Sequence, residues 1–250
     1  MDKHVVTATL LGLAMAMSPM AAATSAELKV LAGGSMTASL KELGPKFEAA
    51  TGHRLDMTFA ATPELIKMST SAPFDLGVVP VDVMKNDDAR AKFAGTPANI
   101  ARVGYGVAVK AGAPKPDVGT PEALKAALLK AQSIAVFPTS AAGAFVQKTF
   151  ERLGIAEQIK DRLKVQAGPG AIPQAVAKGE AELGVFLTNV LLAPGVELAG
   201  PFPGDLQQDL VFVGAVSADS KNADAAKAFL DYLKTPDAVS VFKAKGVTPG

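Results

Sequence analysis

Small polar residues recur where short apolar runs give way to helical periodicity. Ser35 follows LKVLAGG, Thr62 follows LDMTFAA, Thr139 and Ser140 follow IAVFP, and Thr188 with Asn189 follows LGVFL. A hydroxyl at a helix start can simply cap a first-turn amide. The same position also offers an anion unpaired backbone N–H groups, the positive end of the helix dipole and an O–H donor, with no counter-charge. In a parallel α/β sheet the carboxyl ends of the strands share one edge, so these turns can face one site. The chemistry read from the pattern is capture of a small anion by neutral donors.

Residues able to move a proton are fewer. Glu64 sits in the first turn of the helix that Thr62-Pro63 begins, Asp82 occupies the same place after the next strand, and His53 follows Gly52 between a helix and a strand. Each has an ordinary structural explanation: the acids complement a helix dipole and His53 is a turn residue. Arg102 precedes the expected crossing between two lobes near residue 105, and its guanidinium could grip a carboxylate in bidentate fashion. The Asp87-Asp88 pair lacks the recurring spacing of a calcium loop.

The absence of Cys excludes disulfides, thiolate nucleophiles, iron–sulfur clusters and Cys-bound zinc, and only 2 His leave little for an imidazole site. Neither a metal nor an organic cofactor is expected. With 25 basic against 24 acidic residues, nothing suggests a nucleic-acid groove or a polybasic membrane patch. Residues 1–26 read as an export signal: Lys3 and His4, an apolar run from Val5 to Met17, then Pro19 and small residues in which Ala21-Ala22-Ala23 or Thr24-Ser25-Ala26 fits a small-x-small cleavage rule. The remainder has no spanning segment, so a soluble periplasmic protein without stable membrane insertion is expected, working as a monomer.

The elements that must position these residues alternate. Strands are expected at 28–32, 55–59, 75–79, 134–137, 163–167, 183–187 and 210–216, with an alternating run at 102–110. Helices are expected to begin near Ser35, Thr62, Pro80, Thr120, Ala142 and Gly170, and to close the chain at 224–233 and 238–245. This is an α/β pattern, and Pro- and Gly-rich stretches at 111–119 and 193–203 divide it into two lobes. The expected division is 27–104 plus 203–250 for one lobe and 105–202 for the other, each a mainly parallel sheet with flanking helices, joined by a double hinge crossing.

The stretch LKVLAGGSMTASLKELGPKFEAATGHRLDMTFAATPELIKMSTSAPFDLGVVPVDVMK resembles the opening lobe of periplasmic molybdate-binding proteins and related solute receptors of ABC importers. SIAVFPTSAAGAFVQKTFERLGI, AVAKGEAELGVF and the closing AGPFPGDLQQDLVFVGAVSADSKNADAAKAFLDYLKTPDAVSVFKAKGVTPG are similar to the rest of that family. The resemblance implies a type II periplasmic binding fold, an anionic ligand and an ABC permease as partner. It carries the family's two hydroxyl ligands onto Ser35 and Thr62, and a backbone donor onto Ala142 beside Ser140. The next donor falls at Pro169, which has no N–H, with Gly170 adjacent. The ligand-facing tyrosine falls at Leu187, beside Thr188 and Asn189. Those two departures favour an organic carboxylate over a molybdate-like ion. SAAGAF and KAKGVTP are similar to a branch that includes aconitate isomerases, which would make Glu64 the candidate base; a molybdate or tungstate receptor is the other alternative.

Overall fold

The computed structural model describes residues 25–250; the expected export signal lies outside the described residues except for its last two positions. Eleven strands form two sheets. The first six are β1 (Glu27–Gly33), β2 (Arg54–Ala60), β3 (Leu76–Pro80), β4 (Ala98–Val103), β5 (Tyr105–Lys110) and β6 (Ile134–Val136). Then come β7 (Leu163–Val165), β8 (Leu183–Leu187), β9 (Val196–Pro201), β10 (Leu210–Val216) and β11 (Thr248–Pro249).

One sheet has the order β11-β4-β10-β3-β1-β2 and the other β7-β6-β8-β5-β9. Both are mixed rather than mainly parallel in pairing. β1 pairs parallel with β2 and β3, and β6 parallel with β7 and β8. β10 lies antiparallel between β3 and β4, and β5 antiparallel between β8 and β9. The reason is topological. In each sheet the strand that first follows a crossing from the other sheet enters the middle against its neighbours.

The alternating run expected at 102–110 is two strands, not one. β4 belongs to the first sheet and β5 to the second, with Gly104 between them. The Pro- and Gly-rich stretch at 193–203 contains β9, an edge strand, where proline removes no interior ladder bond. The helix expected from Pro80 onward is two short turns, Val81–Lys85 and Asp87–Arg90.

Burial follows sequence pattern. β3 and β8 are buried at every position because both faces are covered, whereas edge strand β2 alternates. One apolar cluster runs through both sheets and includes Leu40, Phe47, Tyr105, Phe150, Phe212 and Phe242; a smaller one joins Leu65, Val79, Val83 and Phe93. Each fully buried Leu or Phe contributes about 1.5–3 kcal/mol. Asp75 ties the first sheet together. Its carboxylate accepts the Lys29 amide at 2.9 Å, the Ser220 hydroxyl at 2.7 Å and the Asn222 carboxamide at 3.3 Å.

Candidate functional site

Four turns converge between the two sheets. β1 ends in Gly33-Gly34 and leads through a single 3-10 turn into the helix Thr37–Thr51; β2 leads through Ala61 into the helix Thr62–Ser71. From the second sheet, β6 leads to the helix Ala141–Arg152, and the Pro169 turn to the helix Ala171–Lys178. They enclose a cavity of about 20 Å3, room for roughly one water-sized sphere. Its polar lining is Ser35, Thr62 and Ser140, with Ala142 beside them; its apolar lining includes Pro80, Phe137, Pro169, Phe186, Leu210 and Phe212. Among the described residues no charged side chain lines it.

The donors are arranged by local rules. Ser140 caps its helix, its Oγ accepting the Gly143 amide at 3.0 Å. Thr62 Oγ1 reaches across from the first lobe to accept the Ala141 amide at 3.3 Å, which leaves the Thr62 hydroxyl proton free to donate. Of the first three amides in the helix Ala141–Arg152, that of Ala142 remains for a ligand. Gly143 makes the arrangement possible, since a Cβ there would overlap the Phe137 carbonyl oxygen and lie 2.7 Å from Pro138 Cα. Gly33 likewise lets Phe212 close over the end of β1, a Cβ there falling 2.7 Å from the Phe212 ring.

The other residues singled out from sequence lie elsewhere. Leu187 does not line the cavity: it is fully buried opposite Tyr105 in the β5–β8 ladder, and Phe186 supplies the wall. Thr188 serves the crossing, its amide and Oγ1 both donating to the Gly104 carbonyl at 2.9 and 3.2 Å. Asn189 joins the lobes by donating Nδ2 to the Ser35 carbonyl at 2.8 Å. Its Oδ1 is buried without a partner among the described residues. Gly170 and Asn189 line a larger groove next to the cavity. Arg102 is exposed on β4, opposite Val211 and Thr248, and lines neither space. Glu64 is exposed in the first turn of its helix and does not line the cavity. His53 stacks on Phe47 at 6.0 Å and accepts the Ala26 amide at 3.2 Å, a structural task.

Sequence reasoning missed the phenylalanine walls, because aromatic residues in strands and turns ordinarily read as core. It also missed Gln207. This side chain stands between the two crossings, its Oε1 accepting the Tyr105 amide and its Nε2 donating to the Tyr105 carbonyl, both at 2.8 Å. A carboxamide thereby replaces a strand partner at the point where the chain leaves the first sheet. Tyr105 itself is buried between Phe145 and Phe202, at ring distances of 4.5 and 5.9 Å. Burial, and then the negative charges of Asp82 and Asp209, push its phenol well above the usual range. Among the described residues no cluster of carboxylates and imidazoles could hold a metal ion, and no helix is long and apolar enough to cross a membrane.

Two mixed sheets joined by two crossings, with helix starts meeting at a cavity between them, define a two-lobed binding protein of the type II periplasmic fold. The chain belongs to the bacterial extracellular solute-binding protein family, whose sequence model matches residues 28–248. An aconitate isomerase from a Pseudomonas species is 32% identical over 259 aligned positions, covering 97% of this chain and 96% of that protein. The molybdate-binding protein ModA of Azotobacter vinelandii is 31% identical over 234 positions, covering 90% and 91% respectively. The solved periplasmic molybdate-binding protein of Azotobacter vinelandii superposes with a TM-score of 0.73 at 20% identity, covering 88% of this chain and 98% of that one.

Proposed function

We propose that this protein is the solute receptor of an ABC importer in the periplasm, enclosing a small organic carboxylate between its lobes and presenting the closed form to a membrane permease. The observation that carries the reading is the cavity's chemistry. Ser35, Thr62 and the Ala142 amide offer neutral donors at helix starts, and among the described residues no charged side chain lines the space. Such donors hold a desolvated anion while leaving its charge uncompensated, so release stays possible. Pro169 and the phenylalanines favour carboxylate over a tetraoxo ion. A tetrahedral dianion wants donors on every side, and each unpaired oxygen costs roughly 1–3 kcal/mol; a carboxylate carries its charge at one end and tolerates an apolar wall at the other.

The likeness to an aconitate isomerase supplies a second reading, in which the same cleft moves a proton across an unsaturated tricarboxylate. Such a step needs a base within hydrogen-bond reach of the C–H. Among the described residues the cavity lining contains no carboxylate, imidazole or amine, and Glu64 is exposed at its helix start and does not line it. Binding without conversion is therefore the better supported activity. The deciding experiment is calorimetric titration with succinate, citrate, both aconitate isomers, molybdate and sulfate, with NMR following the aconitates. Carboxylate binding without interconversion is the expected result. Conversion of one aconitate isomer to the other would establish the enzyme, and micromolar molybdate binding with no carboxylate binding would return the protein to the molybdate receptors.

A further inference from the structure

The short helix Thr188–Leu191 continues β8 of the second sheet, yet two side chains of the segment 188–192 engage the first lobe. Asn189 donates Nδ2 to the Ser35 carbonyl at 2.8 Å. Leu192 lies on the backbone of Gly246, where a Cβ would overlap Leu192 Cδ1 and sit 3.5 Å from Asn189 Cα. The seat at Gly246 is fixed from its own lobe. Gly246 follows the helix Pro236–Ala244 at φ 71°, a left-handed conformation that favours glycine, and its amide bonds to the Lys243 carbonyl at 3.0 Å. Lys245 pairs with Glu42 of the helix Thr37–Thr51 at 2.9 Å, and buried Val247 bonds through its amide to the Phe242 carbonyl at 2.9 Å.

Asn189, Leu192 and Gly246 do not line the anion cavity, so these contacts require no anion to form. They are also weak. Asn189 gains one hydrogen bond but buries Oδ1 with no partner among the described residues, a gain and a cost of similar size, and Leu192 remains 53% exposed on its seat. We infer that Asn189 and Leu192 form a latch that draws the lobes together before ligand arrives, strong enough to populate the closed form and too weak to fix it. Its effect reaches every anion alike: where the bound form is the closed one, apparent affinity scales with the fraction already closed. The inference rests on the hinged, two-lobed reading and not on the chemistry of the ligand.

The chain has no Cys, so Lys67→Cys and Lys148→Cys, at exposed positions on the helices Thr62–Ser71 and Ala141–Arg152, give two unique sites for nitroxide labels, one on each lobe. Pulsed electron paramagnetic resonance then reads the inter-lobe distance with no ligand present. A shorter and a longer population are expected, and Asn189→Ala and Leu192→Ala should each shift weight to the longer one. Gly246→Ala should do the same in the wild-type background by displacing Leu192, and should add nothing in the Leu192→Ala background; thermal unfolding measures the backbone cost of alanine at that φ in both. Calorimetry with succinate and with molybdate should find any binding weakened by one common factor, roughly two- to ten-fold, in Asn189→Ala and Leu192→Ala. Absence of the shorter population, distances unchanged in all three variants, or losses that differ between the two anions would overturn the latch and leave the receptor reading standing. Distances that shift as expected while neither anion binds would uphold the latch and count against the receptor reading.

Discussion

At the scale of single residues, Ser35 and Thr62 carry the candidate site from the first lobe, and their hydroxyls can be removed without touching the backbone donors. Ser35→Ala and Thr62→Ala should each weaken carboxylate binding by roughly 1–3 kcal/mol. Thr62→Ala should also cost some stability of the closed form, because Thr62 Oγ1 accepts the Ala141 amide. Calorimetric titration and thermal unfolding on the same samples separate the two effects; lost stability with unchanged affinity would make both residues structural. The tyrosines allow a different check, since the chain has only 2 of them and no Trp. Burial, followed by nearby carboxylates, raises the phenol pKa of Tyr105 and, to a smaller extent, of Tyr232. Unfolded phenols ionise near pH 10, so above about that value the unfolded chain binds fewer protons than the folded one and stability falls as pH rises. The phenolate absorbance of the folded protein should therefore appear later than that of the denatured protein. Coincident titrations would show that neither phenol is protected.

Among the elements, the helix Ala141–Arg152 matters most, because its start sets the amides proposed to face the ligand. Its position depends on Gly143, whose missing side chain lets the first turn press against the Phe137-Pro138 backbone. A methyl group there forces the helix start away from the cavity. Gly143→Ala should cost about 1–3 kcal/mol of folding stability, as overpacking does, and should weaken ligand binding beyond that of a control such as Ala126→Gly on an exposed helix face. Denaturant unfolding with titration of the folded fraction measures both. Unchanged affinity would mean that the Ala142 amide does not contact the ligand. The helix Thr37–Thr51 shows the opposite, purely local logic: it ends at Gly52 in the left-handed conformation, φ 75°, whose amide bonds back to the Glu48 carbonyl.

For the whole molecule, the question is how the lobes move. Both chain crossings lie beside Tyr105, held by the paired hydrogen bonds of Gln207 and by Thr188 on the Gly104 carbonyl. Two contacts bridge the lobes near the cavity, Ala141 to Thr62 and Asn189 to Ser35. A binding protein of this architecture closes on its ligand by rotation about such crossings. Small-angle scattering should show contraction on adding a bound carboxylate. Gln207→Leu, which removes both bonds and strands the Tyr105 amide while the Tyr105 carbonyl keeps the Phe202 amide at 2.9 Å, should broaden the ligand-free ensemble and lower affinity while leaving Ser35 and Thr62 in place. No contraction at saturating ligand would count against hinge closure, and wild-type scattering from the Leu variant would show that Gln207 does not hold the crossings.

Much of this protein was legible from local rules. Strand and helix positions follow from apolar periodicity, proline at helix starts and glycine at helix ends, and β8 and β10 occupy the segments expected of them. The hydroxyls at 35, 62 and 140 were visible because a strand followed by a helix start is a short-range pattern. What the chain alone left open was every feature that depends on residues distant in sequence. The 102–110 run read as one alternating stretch with the expected lobe boundary at 104/105 inside it, and periodicity could not show that it is two strands paired in different sheets. β9 was hidden because its proline and glycine are tolerated only at an edge, and which strand is an edge is a property of the assembled sheet. Arg102 and Lys178 look equally available in the sequence, yet one lies exposed on β4 and the other lines the groove beside the cavity. Local propensities chose the elements; only packing decided which side chains meet, because side chains far apart in the chain share a site only after both sheets have formed and closed against each other.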